Sequence, residues 1–311
     1  MKAVVGFAFL EQLPGPAAAL AVGAAADRSI WVVGEDGLAA RRLRPGHPWA
    51  VLDTGSAADL HAVSALSRTE AWAVGDGGTV LLWHGDRWSP VELPGRRRVD
   101  LLDVAFATPT LGAVGGTNGA LYATTDGGGR WARLGRSGEA DVTALAVTGA
   151  GVVVAGRADG SVLIATLEED GQRWTERALQ VPGGAGLRDL YAVDAASLLA
   201  LDGAGEVWCT RDGGDLWTPL GLDAADAPVQ AVIRGPLGIT AVHADGELTV
   251  VKLRRDGVSL HPVPVDPQAR GSAAFEVRQA AASGEQLLAA TADGQVMSQG
   301  VRRWMPPTAD Y

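Results

Sequence analysis

Ala71-Trp72-Ala73-Val74-Gly75-Asp76-Gly77-Gly78-Thr79-Val80-Leu81-Leu82 decides the fold. An apolar run enters a glycine-rich turn and an alternating run leaves it, which is how a β-hairpin reads when its turn needs positive φ. The same phrase recurs along the chain. With the last glycine of the turn as marker, the copies fall at Gly37, Gly78, Gly119, Gly160, Gly205, Gly246 and Gly294, spaced by 41, 41, 41, 45, 41 and 48 residues. Five of the seven markers follow an Asp or Asn, at Asp36, Asn118, Asp159, Asp245 and Asp293. Each marker is the tip of a hairpin.

A second marker runs in phase with the first, at Trp49, Trp88, Trp131, Trp174, Trp217, Leu260 and Trp304. Ahead of each hairpin lies a further strand-like run, such as Leu60 to Leu66, Leu101 to Phe106 and Val142 to Val147. Each unit therefore holds four strands, A to D, with A and B almost wholly apolar, C alternating and D charged. Seven such units of about 40 residues predict an all-β fold, a seven-bladed β-propeller of four-stranded antiparallel blades. The expected organisation is a single domain over 1–311, with blades at about 17–52, 59–93, 100–135, 141–180, 187–222, 228–264 and 275–306. Residues Phe7 to Pro14 resemble the D-strand run Trp88 to Pro94, so 1–13 is expected to add an outer strand to the last blade and close the ring.

Composition supports this reading. The chain has 311 residues, 36 acidic against 26 basic, and a net charge of −10, which argues against a nucleic-acid partner. Forty-two glycines and 16 prolines spread along the whole length leave little room for long helices. No stretch approaches the roughly 20 apolar residues of a membrane span. The single cysteine, Cys209, excludes an internal disulfide and points to a reducing compartment. Glu11, Gln12 and Pro14 interrupt the apolar run at the N-terminus, so a secretory leader is not expected and a cytoplasmic location is.

Two turns match the pattern Ser/Thr-x-Asp-x-Gly-x-x-Trp: Thr124, Asp126, Gly128 and Trp131, and Thr210, Asp212, Gly214 and Trp217. The aspartate accepts bonds from turn N–H groups, glycine permits the tight path, and the ring packs between blades. With the Trp-Ala-Val-Gly hairpin at Trp72 and its counterpart at Trp31, the chain resembles the Asp-box propellers related to the photosystem II stability and assembly factor. Only two boxes are strict: Glu169 replaces the aspartate before Trp174, and those before Trp49, Trp88, Leu260 and Trp304 are degraded. The resemblance implies a protein-binding scaffold that assembles or stabilises a larger complex, with the boxes serving structure on the face opposite the binding loops.

Asp-box propellers include sialidases, whose chemistry needs an arginine triad, a tyrosine nucleophile and an acid; of three tyrosines only Tyr191 falls on an inner strand. Two-carboxylate glycoside hydrolysis or carbohydrate binding is the alternative, yet the expected loops Gln180 to Arg188 and Val265 to Ala274 contain no aromatic residue. His47, His61, His84, His243 and His261 show no metal-ligand spacing, and no cofactor or metal is implied.

Two features rise above background. Aligning strand A on its central apolar residue puts Asp59, Asp100, Asp141, Asp189 and Glu276 in one frame, completed by Pro16 and Pro228. These acids read either as strand-entry caps on loop N–H groups or as a negative rim at the channel mouth that attracts a cation or a basic peptide. The second feature is a set of arginines in the loops from strand D to the next strand A: Arg96, Arg97 and Arg98, with Arg188 and Arg270 in the two longest such loops. They are the expected contacts to another protein, lying outside the acids.

Overall fold

The computed structural model describes residues 9–11, 13, 17–95, 99–136, 138–183, 185–222, 228–235, 238–244, 247–254, 257–263, 277–283, 286–291 and 294–300. Among these residues the strands form seven four-stranded antiparallel sheets, each ordered A-B-C-D from inside to outside. The inner strands are Ala19–Ala24, Leu60–Ser67, Leu101–Phe106, Val142–Thr148, Leu187–Ala192, Val229–Gly235 and Val277–Ser283. Neighbouring inner strands pack side by side, and that of blade 7 packs on that of blade 1, so the blades form a ring. Blade 7 takes its outer strand from Phe9–Glu11, with Leu10 opposite Met297; Trp304 lies outside the described residues.

Burial explains the composition of strands A and B. Each core cluster sits between two adjacent blades, so both faces of a blade's inner half are covered. Trp72 of blade 2 is fully buried, stacked on Phe106 of blade 3 at 4.3 Å between ring centroids, and Trp131 meets it edge-on at 6.0 Å. A ring of that size removes roughly 150–250 Å² from water. At about 25 cal/mol per Å² this contributes about 4–6 kcal/mol.

The hairpins fall into two kinds, decided by one residue. In blades 1 to 3 strand B ends in Gly34, Gly75 and Gly116, where a Cβ would lie 2.0, 1.9 and 2.1 Å from the backbone oxygen of Ala18, Asp59 and Asp100. Such contact is impossible for any other residue, and these turns place two residues at positive φ: Asp36 and Gly37, Gly77 and Gly78, Asn118 and Gly119. In blades 4, 5 and 7 Arg157, Asp202 and Thr291 take the same register position. The chain then turns one residue earlier, closed by Gly160, Gly205 or Gly294 donating to the oxygen of Arg157, Asp202 or Thr291. An identical Asp-Gly pair in blades 1 and 4 thus makes two different turns.

Every inner strand carries a bulge after its first residue, between Ala19 and Ala21, Leu60 and Ala62, Leu101 and Asp103, Val142 and Ala144, Leu187 and Asp189, Val229 and Ala231, and Val277 and Gln279. A bulge re-aims the side chain that follows it. This shared bulge is the true frame of the repeat.

Candidate functional site

Hairpin tips and D-to-A loops meet on one face of the ring. There Asp59, Asp100 and Asp141 stand immediately before strand A, and each carboxylate reaches back one blade to a hairpin. Asp59 accepts from Asp36 N at 2.9 Å, Asp100 from Gly77 N at 2.9 Å, and Asp141 from Asn118 N at 2.8 Å. The same residues' main-chain oxygens accept from Asp76, Thr117 and Ala158 of their own blades. Each aspartate therefore ties two blades together at the rim.

Asp189 does not belong with them. The bulge frame puts Gly186 at the entry position of blade 5, where its oxygen accepts from Gly203 N. Asp189 lies three residues further on, level with Asp103 in blade 3. Alignment on apolar residues alone cannot see a bulge, which shifts the pattern without changing composition. Glu276 lies outside the described residues, as do Arg96, Arg97, Arg98 and Arg270, although the described ends of the 96–98 loop, Gly95 and Val99, belong to a D-to-A connection on the hairpin face.

Arg188 is on the inner strand of blade 5, beside Asp189, and its Nη2 donates to Gln230 Oε1 of blade 6 at 3.4 Å. The loop from Gln180 to Leu187 is short, because the extra residues of blade 4 lengthen strand D to Trp174–Gln180. Arg188 thus lines the channel rather than an outer loop.

At the hairpin end of the channel lies a cavity of about 280 Å³ whose lining includes His61, Asp103, Thr143, Arg188, Asp189 and Gln230. His61 Nε2 meets Asp76 Oδ1 at 2.6 Å, which holds the ring against the wall of blade 2. Asp103 and Asp189 line the cavity half-buried, crowded by the inner strands of the neighbouring blades. Burial pushes Asp103 up to about 7, with the Asp189 charge adding to it against two main-chain N–H bonds, and pushes Asp189 up to about 6. The signal for these two acids is an aspartate at the third position of an inner strand, in Leu101–Phe106 and Leu187–Ala192.

The Asp boxes occupy the opposite face. Thr124 Oγ1 donates to Asp126 Oδ1 at 3.0 Å and accepts from Gly128 N, while Asp126 Oδ1 accepts from Arg130 N at 2.8 Å. Thr210, Asp212, Gly214 and Leu216 repeat this bonding, and Trp217 is buried between blades 4 and 5. The N–H of Arg130 holds the Asp126 carboxyl below its usual range, and that of Leu216 does the same for Asp212. Both carboxylates are spent on their own turns.

Tyr191 packs into the core between blades 5 and 6 and is not among the residues lining the cavity. Cys209 is buried, and burial pushes its thiol up, which disfavours the nucleophilic thiolate. Among the described residues no three His, Cys, Asp or Glu side chains are grouped to hold a metal ion.

Comparison with known proteins places this geometry. Solved structures similar to the chain include YCF48 bound to D1 peptide, at 18% identity and a TM-score of 0.70 over 95% of this chain and 97% of that one. YCF48 from Cyanidioschyzon merolae matches at 16% identity and 0.67 over 93% and 98%. The WD40 β-propeller domain of Doa1 matches at 14% identity and 0.72 over 96% and 97%, so likeness at this level shows the propeller fold alone. No curated protein sequence matches. The family model described as photosynthesis system II assembly factor YCF48 matches residues 84–251, just over half of the chain. By that match across the central repeats, and with the same propeller, the chain belongs to the YCF48 assembly-factor family.

Proposed function

We propose that the protein is a non-catalytic scaffold that binds another protein through the hairpin and D-to-A loop face and so assembles or stabilises a larger complex. The observation that carries this reading is the rim of Asp59, Asp100 and Asp141, which pins three consecutive hairpins and makes that face a rigid platform for loops of unlike sequence. Family membership supports a protein-binding assembly role, and a relative bound to D1 peptide supports an extended protein segment as the kind of partner. The sequence sets Arg96, Arg97 and Arg98 just ahead of Asp100, and guanidinium groups together with carboxylates suit a partner of mixed charge. A nucleic acid fits poorly beside this rim and a net charge of −10. A single buried cysteine suits work in a reducing compartment such as the cytoplasm.

The test is capture of partners from the native host by the tagged protein. Reversing Arg96, Arg97 and Arg98 to Glu is expected to abolish capture with the melting temperature unchanged, whereas reversing Arg44, Arg87 and Arg130 on the Asp-box face leaves capture intact. The opposite pattern would move the working face to the other side of the ring.

A further inference from the structure

The residue that follows the bulge in strand A is alanine in four blades, at Ala21, Ala62, Ala144 and Ala231, and a long polar acceptor in the other three, at Asp103, Asp189 and Gln279. All three acceptors make the same contact. Asp103 Oδ2 accepts from Leu145 N of blade 4 at 2.7 Å, Asp189 Oδ2 from Val232 N of blade 6 at 2.9 Å, and Gln279 Oε1 from Val22 N of blade 1 at 3.2 Å. Leu145, Val232 and Val22 occupy one position in their strands, three residues beyond the first. The second carboxylate oxygen of each aspartate accepts from the next residue of its own strand, Val104 or Leu190, at 2.8 Å. Three seams are thus clamped from inside the channel: 3 to 4, 5 to 6, and 7 to 1. Two clamps are ionisable; the third, where the first and last blades meet, is an amide.

We infer that Asp103 and Asp189 are proton-operated clamps on the channel wall, which grip Leu145 and Val232 when ionised and loosen on protonation, while Gln279 holds the seam between blades 7 and 1 at every pH. Charge-assisted bonds from N–H to carboxylate are about twice as strong as neutral ones, so protonation weakens the grip on the next blade. Among the described residues, the charged or titratable groups lining the same cavity are His61 from blade 2, itself paired with Asp76, Arg188 from blade 5, and the two aspartates themselves. Blades 1, 4, 6 and 7 contribute uncharged Leu20, Thr143, Gln230 and Gln279. Burial outweighs the bonds to main-chain N–H in both clamps, which moves their transitions from the acid range to about 7 and about 6.

Linkage then gives two readouts of opposite sign. A carboxyl in the unfolded chain titrates at about 3.9, so between that value and neutrality the folded protein holds more protons than the unfolded one. Overall stability is full at the acid end of this window and is lost as pH rises through the folded values. The local bonds to Leu145 and Val232 change the other way, strongest where the carboxylates are ionised. Loss of the bonds costs less than relief of two buried like charges returns.

The experiment is an NMR titration of the labelled full chain from pH ~4.5 to ~8.5, a range spanning both transitions. The carboxyl carbons of Asp103 and Asp189 are expected to move with midpoints near 7 and 6, and the amide protons of Leu145 and Val232 to follow them. The Val22 amide should not follow. D103N should remove the titration of Leu145 alone, D189N that of Val232 alone, and the double variant should flatten the rise in melting temperature on acidification. If the variants do not fold, the wild-type amides decide. Carboxyl midpoints below about 5, silent Leu145 and Val232 amides, or a Val22 amide that titrates with them would overturn the inference.

Discussion

The carboxylate of Asp100 accepts a hydrogen bond from the main-chain N–H of Gly77, one blade back, at 2.9 Å. Gly77 sits at positive φ in a hairpin whose N–H groups point outward, and Asp59 and Asp141 make the equivalent bond to Asp36 and Asn118. A hydrogen bond on such a partly exposed turn contributes about 1 kcal/mol. Replacing any of the three by Ala is expected to lower the melting temperature by about 1–2 °C, because the shift for a given loss shrinks as the domain grows. Thermal melts of the single variants check this. A variant with an unchanged melt but lost partner capture would return the acids to a binding role.

Gly116 is expected to be intolerant of substitution. An added Cβ would lie 2.1 Å from the main-chain oxygen of Asp100, so G116A must push strand A away or force the hairpin into the form used by blade 4. Overpacking of this kind costs about 1–3 kcal/mol. G149A, on an exposed turn where a Cβ meets nothing within 4 Å, serves as the control and should melt like the parent.

The Asp boxes should contribute to the acid limb of the stability profile. Because the N–H groups of Arg130 and Leu216 hold Asp126 and Asp212 below the usual carboxylate range, their contribution is present above the unfolded value and lost as pH falls through the folded one. D126N and D212N should therefore flatten the loss of stability below pH ~4 and leave the profile near neutrality, where Asp103 and Asp189 act, unchanged. Melts across that range separate the two classes of aspartate.

Removing residues 1–11 should lower the melting temperature and speed amide exchange in Val296–Gly300, whose outer partner is Phe9–Glu11. The deletion leaves an exposed edge in blade 7, which invites pairing with other chains. An unchanged melt with unchanged exchange would mean that the short outer strand contributes nothing to the seam, leaving Gln279 and the bond from Ala19 N to the oxygen of Gly294 to hold it.

The purified protein is expected to leave sialosides and β-glucans intact. Tyr191, the one tyrosine on an inner strand among the described residues, packs between blades 5 and 6 and is not among the residues lining the cavity. Turnover abolished by Y191F in a folded variant would reverse this expectation.

Much of the architecture was legible because it rests on local rules. A period near 41 residues, Asp-Gly and Asn-Gly pairs at the turn, and apolar runs of strand length are each written within a dozen residues, and they determine seven hairpins and the antiparallel blades. The Asp boxes are equally local, since Thr124, Asp126 and Gly128 bond to one another within a single turn. Blade packing decided the rest. Whether Asp-Gly makes one turn or another depends on how closely the chain approaches strand A: at Gly34 the main-chain oxygen of Ala18 comes within 2.0 Å of where a Cβ would sit, whereas Arg157 carries a side chain at the same register position. Asp189 left the rim and joined Asp103 because a bulge shifts which side chain faces the channel, and a bulge exists only once two strands are paired. Asp59 and Asp103 are both single acids in or beside an apolar strand. Only the neighbouring blade makes one a bond at the rim and the other a buried carboxyl, because burial and the donor N–H groups both come from residues some 20 to 40 positions away.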